Sequence, residues 1–467
     1  MLELFTNAFK FFKNIYFLTN VSFIIIFEMC KYYCGFGGTY ENFIFNLASK
    51  LSKKNILYVK IFQSCALNNN LIDNNINHKL INFTNNAPWT EEEDVDLETL
   101  NNLEKEYDIR IENDYKPINS GMISLVYKGT DIITEDTVII KIKRKNIEEK
   151  LDEGIEKLLF FLQIVDSIPF INTYGLPEVV QKNISLISHQ TNFHTEVENI
   201  QYFKKVCENL KYIIIPEVYP KATSQYPNII LMEYINGNTI YNVNRADYEI
   251  FAKRFMQFFF ITMFMHGRVH GDLHVGNILF IEDKAEKDEK YKHKLGILDF
   301  GIIYEISETR NALFDIYSEL CVIPPKETAY KVLYSGLLEP VSIIKNLSEE
   351  HSQHLIGIIE VLVNETVNID KKINQINVCK FSNNLNAYIS QHKIKDLNLK
   401  LSGDLLKLQV MFGMFHGVLL TLCDNNKEYM DFYNKVIRET FQLDLFEDDD
   451  DDDDDEADTT NLAKFHA

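Results

Sequence analysis

Across residues 117 to 143 apolar and polar positions alternate with a period of two, in "GMISLVYKGT" and "TVIIKIK", and the turn-forming "DIITED" separates them. This predicts two β-strands joined by a tight connection. Residues 192 to 210 change period: Phe193, Val197, Ile200, Phe203 and Val206 recur at helical spacing, and "YIIIPEVY" and "NIILMEY" after them read as strands. Upstream, a Phe/Ile-rich helical segment runs to about Ser64, and an Asn-rich, loop-like stretch covers residues 66 to 89. From Asn244 onward the pattern is mostly helical. The stretch 244 to 268 is apolar only from Phe255 to Met265, apart from Gln257 and Thr262, which predicts a buried helix and no membrane span.

Strands first and helices after is an α+β pattern with two lobes. The expected divisions are a helical extension over 1–90, a strand-rich lobe over 91–235 with a helical insert, a helical lobe over 236–446 and a disordered acidic tail over 447–467. Within the extension, "NIYFLTNVSFIIIFEMC" (14 to 30) is apolar but broken by Asn20 and Ser22 and closed by Glu28, short of a clean span. A buried or membrane-surface helix, with peripheral membrane contact, is the expectation there.

Charge narrows the partners. The net charge is -21, of which Glu447 to Glu456 together with Asp458 supply 11 negatives, leaving -10 elsewhere. No basic surface stands out, so nucleic acid is not an expected partner. Seven scattered cysteines argue for reduced thiols and an intracellular setting, and Cys30 and Cys34 alone make no metal site. The first arginine of the chain is Arg110, which argues against an Arg-rich transit peptide.

The chemistry concentrates in "RVHGDLHVGNILF" (268 to 280) and the "LDFG" that follows. His270, Asp272, Asn277 and Asp299-Phe300-Gly301 stand at the spacing of a phosphotransfer catalytic loop and its metal-binding D-F-G. Such a reaction needs one carboxylate at the attacking oxygen, with an amide and a second carboxylate holding Mg²⁺ against phosphates. Asp272 fits the first role, and Asn277 and Asp299 the second. The apolar "ILF" and "LGIL" predict strands pinning both ends of the site. Upstream, Lys141 ends an apolar strand, where an ammonium group would pair with ATP phosphates, and Glu196 would fix it by an ion pair, with Glu198 as the competing choice. In "PINSGMISLVYKG", Asn119, Ser120, Gly121 and Val126 occupy the frame of a phosphate loop.

"HGDLHVGNIL" carries His274 two residues after Asp272, and this resembles the catalytic loop of the UbiB-like, aarF-domain (ADCK) atypical kinases. Pro117, Ile123, Val126, Tyr127 and Lys128 resemble that family's alanine-rich phosphate loop, with Asn119, Ser120 and Gly121 replacing the alanines. Phe193, Glu196 and Asn199 match its helix motif, and 54 residues separate Lys141 from Glu196 where the family has an insert. "LYVKIFQ" offers Lys60 and Gln63 at the spacing of the family's K-x-G-Q, with Phe62 in place of glycine.

The resemblance implies a two-lobed kinase-like fold whose helical extension packs on the active site. It implies ATP and Mg²⁺ as cofactors, Asp272, Lys141, Glu196 and His274 as catalytic residues, and Asn119, Ser120, Gly121, Val126, Lys141, Glu233, Asn277, Lys60 and Gln63 as nucleotide-binding ones. Lys60 and Gln63 are expected near the phosphates or Asp299. No A-P-E follows Gly301, and "FDIYSEL" (314 to 320) reads as ordinary helix, so a small-molecule or lipid-headgroup acceptor is expected in place of a protein. Quinone or isoprenoid-lipid metabolism comes from the resemblance alone. The aminoglycoside and choline kinases, whose loop resembles H-G-D-L-H-x-G-N, and a non-catalytic pseudokinase scaffold remain the alternatives.

Overall fold

The computed structural model describes residues 2–60, 62, 86–166, 190–306, 309–319, 322–367, 400–401, 411, 414–415, 417–419, 421–423 and 429–443. Gln63, the acidic run, most of the Asn-rich stretch and residues 167–189 of the insert lie outside them. The chain forms two compact units: Met1–Tyr241 with Asp272–Ile281 and Gly296–Ile302, and Asn242–Gly271 with Glu282–Leu295 and Ile303–Ala467.

The first unit is built on a five-stranded antiparallel sheet in the order β1 (Ile109–Ile111), β3 (Ser124–Asp131), β4 (Thr137–Lys143), β6 (Ile229–Glu233), with β2 (Asn119–Ser120) paired to β3. The sequence-predicted strands and turn stand where the alternation put them. Asp131 closes the connection by accepting hydrogen bonds from the Ile133 and Thr134 N–H groups. One face of the sheet carries Leu125, Tyr127, Val138, Ile140, Ile142, Ile229 and Leu231 against Leu100 and Leu103 of α3 (Leu97–Tyr107), all buried. Each such side chain contributes roughly 1.5–3 kcal/mol by leaving water.

Strand period two puts the next residue of each strand on the opposite face, where Val126, Lys141 and Ile230 stand in register across β3, β4 and β6. Ahead of this sheet run α1 (Leu2–Tyr33) and α2 (Tyr40–Ser52), the latter capped by the Thr39 hydroxyl accepting from Asn42 N–H. After β4 come α4 (Ile147–Asp166), within the insert, and α5 (Phe193–Val206), capped by the Asn192 side chain. Of "YIIIPEVY" only β5 (Ile213–Ile214) is strand; Val218 makes an isolated bridge to Met232. The strands predicted on either side of the catalytic stretch form as β8 (Ile278–Glu282) and β9 (His293–Ile297).

Two expectations need correction. The stretch 14 to 30 belongs to a longer helix: Phe9–Tyr33, 25 residues, contains an 18-residue window of mean hydropathy 1.3, long and apolar enough to cross a membrane, and only 11% of that window is buried. Asn20 does not interrupt it, because its amide donates to the Tyr16 carbonyl. It is therefore not the buried helix that was one of the two readings.

The predicted helix over 244–268 is divided. In the second unit α6 (Tyr248–Phe260) passes into a π-turn over Ile261–Met265, where Thr262 Oγ1 donates to the Phe258 and Phe259 carbonyls, and Gly267 at φ +63° ends it. Phe251, Phe255, Phe258, Phe259 and Phe260 are fully buried, and Phe259 stacks on Phe415 with ring centroids 4.2 Å apart. Two short strands that the sequence hid, β7 (Arg268–His270) and β10 (Ile303–Glu305), pair antiparallel in the same unit.

Candidate functional site

Lys60, Lys141, Arg144, Glu196, Asp272, His274, Asn277 and Asp299 all belong to the first unit. Lys141 Nζ, on the sheet face opposite the apolar core, donates to Glu196 Oε1 at 2.6 Å and to Asp299 Oδ1 at 3.2 Å. Helical spacing decides between the two glutamates: Glu196 shares a buried face with Phe193, Val197 and Ile200, whereas Glu198 is exposed. Asn199, one turn on, donates from its side-chain amide to the Phe300 carbonyl at 2.9 Å, and Phe203 packs on the fully buried Phe300 ring at 5.1 Å. The helix that carries Glu196 thus also holds the D-F-G backbone.

Asp299 sits in the left-handed region at φ +57°, with its side chain 37% exposed. That conformation turns its carboxylate towards Lys141, and the Gly301 N–H donates to Oδ1 at 3.3 Å. A Cβ on Gly301 would stand 3.3 Å from Asp299 Oδ1 and 3.6 Å from Glu196 Oε2, so glycine leaves the two carboxylates their room.

One ammonium stands among two carboxylates. Burial first, then the Asp299 charge, push the Glu196 carboxyl up to about 7 despite Lys141; the same carboxylates outweigh burial at Lys141 and raise it. Glu196 Oε2 is buried and makes no hydrogen bond among the described residues.

The catalytic-loop segment is held largely by its own side chains. His274 Nδ1 accepts from the Gly276 N–H at 3.0 Å, and Asn277 Nδ2 donates to the Asp272 carbonyl at 2.8 Å. Asp272 is buried, and Lys60 Nζ donates to its Oδ2 at 2.7 Å. Burial alone would raise this carboxyl; the charges of Lys60 and His274 outweigh it and hold the group below the usual carboxylate range. Lys60 is thus brought to Asp272, and Phe62, where the resemblance expects glycine, is buried. Gln63 lies outside the described residues.

The phosphate-loop frame is arranged differently. Ser120 is buried and its Oγ donates to the Ala87 carbonyl, so this side chain ties the loop to the preceding segment; Asn119 is exposed. A Cβ on Gly121 would meet only the Ser124 carbonyl, at 3.6 Å, so space lies open there. Glu233 is exposed and bonded elsewhere: its Oε2 accepts from the Glu217 N–H and its own N–H donates to the Glu217 carbonyl.

Sequence reasoning missed Arg144. Its buried guanidinium donates to the Gly121 carbonyl (Nε 3.0 Å, Nη2 2.8 Å), Ser120 Oγ (2.7 Å) and the Pro88 carbonyl (2.9 Å), and pairs with Asp94 at 3.2 Å. A lone arginine in "KIKRKN" carries no motif; only the fold shows what it gathers.

Among the described residues no three His, Cys, Asp or Glu side chains cluster as a metal site. Asp299 and Asn277 would hold a cation only together with oxygens from a ligand such as a phosphate chain.

The chain is similar to several known proteins. A probable serine/threonine-protein kinase, abkB, of Dictyostelium discoideum is 25% identical over 64% of this chain and 45% of its own length. A probable protein kinase UbiB of Glaesserella parasuis is 27% identical over 37% of this chain and 31% of its own. The chain therefore spans less than half the length of these curated relatives. A solved Mycobacterium tuberculosis protein in complex with erythromycin aligns at TM-score 0.44 and 14% identity, over 84% of this chain and 94% of that one. The family model of the ABC1 atypical kinase-like domain matches residues 82–324, and the chain belongs to that family.

Proposed function

We propose that the chain binds Mg-ATP at the Lys141–Glu196–Asp299 cluster and catalyses ATP hydrolysis or phosphoryl transfer to a small molecule or lipid headgroup. The observation that carries this reading is the buried Lys141 held by both Glu196 and Asp299, at 2.6 and 3.2 Å. The part-exposed Asp299 carboxylate suits a divalent cation, and the ammonium suits the phosphates the cation would accompany. Asp299 and Asn277 would hold Mg²⁺, whose chemistry is to neutralise charge developing on the transferred phosphoryl group.

The chain's own residues do the rest. Lys141, fixed by Glu196, orients the α- and β-phosphates. The open space at Gly121 admits the phosphate chain, with Asn119 and Val126 beside it, while Ser120 anchors the loop to Ala87 and Arg144. Asp272, kept ionised by Lys60, orients the attacking hydroxyl or water and takes its proton, and His274 keeps the loop in shape. Glu233 stands at the far end of β6, as a contact for the nucleotide's other end. Lys60 over Asp272 favours an acceptor that is small or presented from a lipid surface over a folded protein, since it occupies the space beside the carboxylate. Quinone or isoprenoid-lipid metabolism is the setting this family membership suggests.

Phosphate release from Mg-ATP by the purified chain, with and without membranes and phenolic lipid headgroups, tests the reading. Turnover should fall by about 10²–10⁴-fold in Asp272→Asn with nucleotide affinity little changed. Mg-ATP binding with no turnover under any condition would instead leave a nucleotide-binding scaffold.

A further inference from the structure

The first helix is inverted in polarity. Among its described side chains Asn14, Val21 and Glu28, spaced seven apart, are the buried ones, and they face the rest of the first unit. Two of these three are polar. On the other side Phe12, Tyr16, Phe23 and Ile26, spaced by four, seven and three residues, are between 59% and 72% exposed. Water-soluble helices do the reverse, so this outer face is suited to an apolar medium. The polar residues beside it are satisfied within the helix: Thr19 Oγ1 donates to the Ile15 carbonyl and Asn20 Nδ2 to the Tyr16 carbonyl.

The helix is also tied down along its length. Lys10 pairs with Glu156 and Lys13 with Glu153 of α4, Lys157 lies over the Phe17 ring at 4.7 Å, and the buried Glu28 pairs with Lys50 of α2. From Lys10 to Glu28 is about 27 Å of helix at 1.5 Å per residue, close to the ~30 Å of a bilayer's hydrocarbon core. A helix bonded to folded protein over that length does not stand across a bilayer; it lies along a surface.

Charge selects the surface. Of the seven lysines in residues 1–60, Lys10, Lys13, Lys50 and Lys60 pair with Glu156, Glu153, Glu28 and Asp272, which leaves Lys31, Lys53 and Lys54 to act on a surface. Lys53 and Lys54 are exposed at the end of α2.

We infer that the outward face of α1 inserts in-plane into an anionic lipid surface, with Lys31, Lys53 and Lys54 supplying the attraction to headgroups. This goes beyond the nucleotide reading and does not depend on it, since the binding needs no ATP. The test is flotation of the full chain, without nucleotide, on vesicles of phosphatidylcholine alone and of phosphatidylcholine mixed with phosphatidylglycerol. The chain should bind the anionic vesicles and be released by alkaline carbonate. Phe12→Ser/Tyr16→Ser/Phe23→Ser should lose binding about tenfold or more at an unchanged melting temperature, and Lys53→Glu/Lys54→Glu should lose the preference for anionic lipid. A Phe23→Trp reporter should shift its emission to the blue on vesicles. Retention through carbonate would mean a spanning helix and overturn the in-plane assignment. A dimer that the triple variant disperses, with no vesicle binding, would assign the face to a second copy and overturn the proposal, as would neither dimer nor binding.

Discussion

Lys60 Nζ lies 2.7 Å from Asp272 Oδ2, across 212 residues of sequence, and fixes the ionisation of a buried carboxylate. With Lys60 in place the Asp272 carboxyl sits below its ordinary range, so the stability it contributes is present at neutral pH and lost as pH falls through that lowered value.

Lys60→Met removes the main opposition to burial, and the sign reverses. The Asp272 carboxyl rises above its unfolded value, so its contribution is lost as pH rises. The variant should be destabilised by about 3–5 kcal/mol at neutral pH and by much less in acid. Denaturant unfolding at both pH values measures it, and an equal loss at both would contradict the ion pair's role.

Glu196 gives the opposite dependence. Its carboxyl is pushed up from 4.5 to about 7, so the folded state holds a proton that the unfolded chain releases, and stability should decline as pH rises across that window. Glu196→Gln should flatten the decline while lowering any phosphotransfer rate by about 10²-fold, because Lys141 loses the partner that orients it. Unfolding curves taken across the window, with wild type and variant side by side, check the sign.

Arg144 joins the Pro88 and Gly121 carbonyls to Ser120 and Asp94. Arg144→Lys should not rescue Arg144→Met, because one ammonium cannot reproduce the planar fork. Both variants should weaken nucleotide binding, raising KM by about tenfold with kcat nearly kept, as expected where the residue shapes a binding loop. A fall in kcat with KM unchanged would place Arg144 in another role.

Much of this site was legible because its chemistry lies in short, typed motifs. Strand patterning pointed to Lys141, a family-like helix motif to Glu196 with Glu198 as its rival, and fixed spacing to Asp272, Asn277 and Asp299. The choice between Glu196 and Glu198 needed the packing of α5, since both stand near the same turn. Arg144 was hidden because its partners are mainly backbone carbonyls, which leave no trace in sequence. Ser120 was read towards phosphate but turns to Ala87, a matter of which way a two-residue strand faces. The helix over 244–268 was split because a π-turn is a local slip in hydrogen bonding that apolar patterning does not encode. The polarity of α1 was obscured because its buried seam includes Asn14 and Glu28, whose burial depends on α2 and α4.

The central claim is Mg-dependent nucleotide binding through Asp299. Asn tolerates the left-handed backbone of this position, so Asp299→Asn removes the charge without the strain that Ala would add. Titration calorimetry of the full chain with ATP, with and without Mg²⁺, should show binding that requires the cation in the wild type and is lost in Asp299→Asn, at an unchanged melting temperature. Equal Mg-dependent binding by wild type and variant, or none by the wild type, would contradict the account.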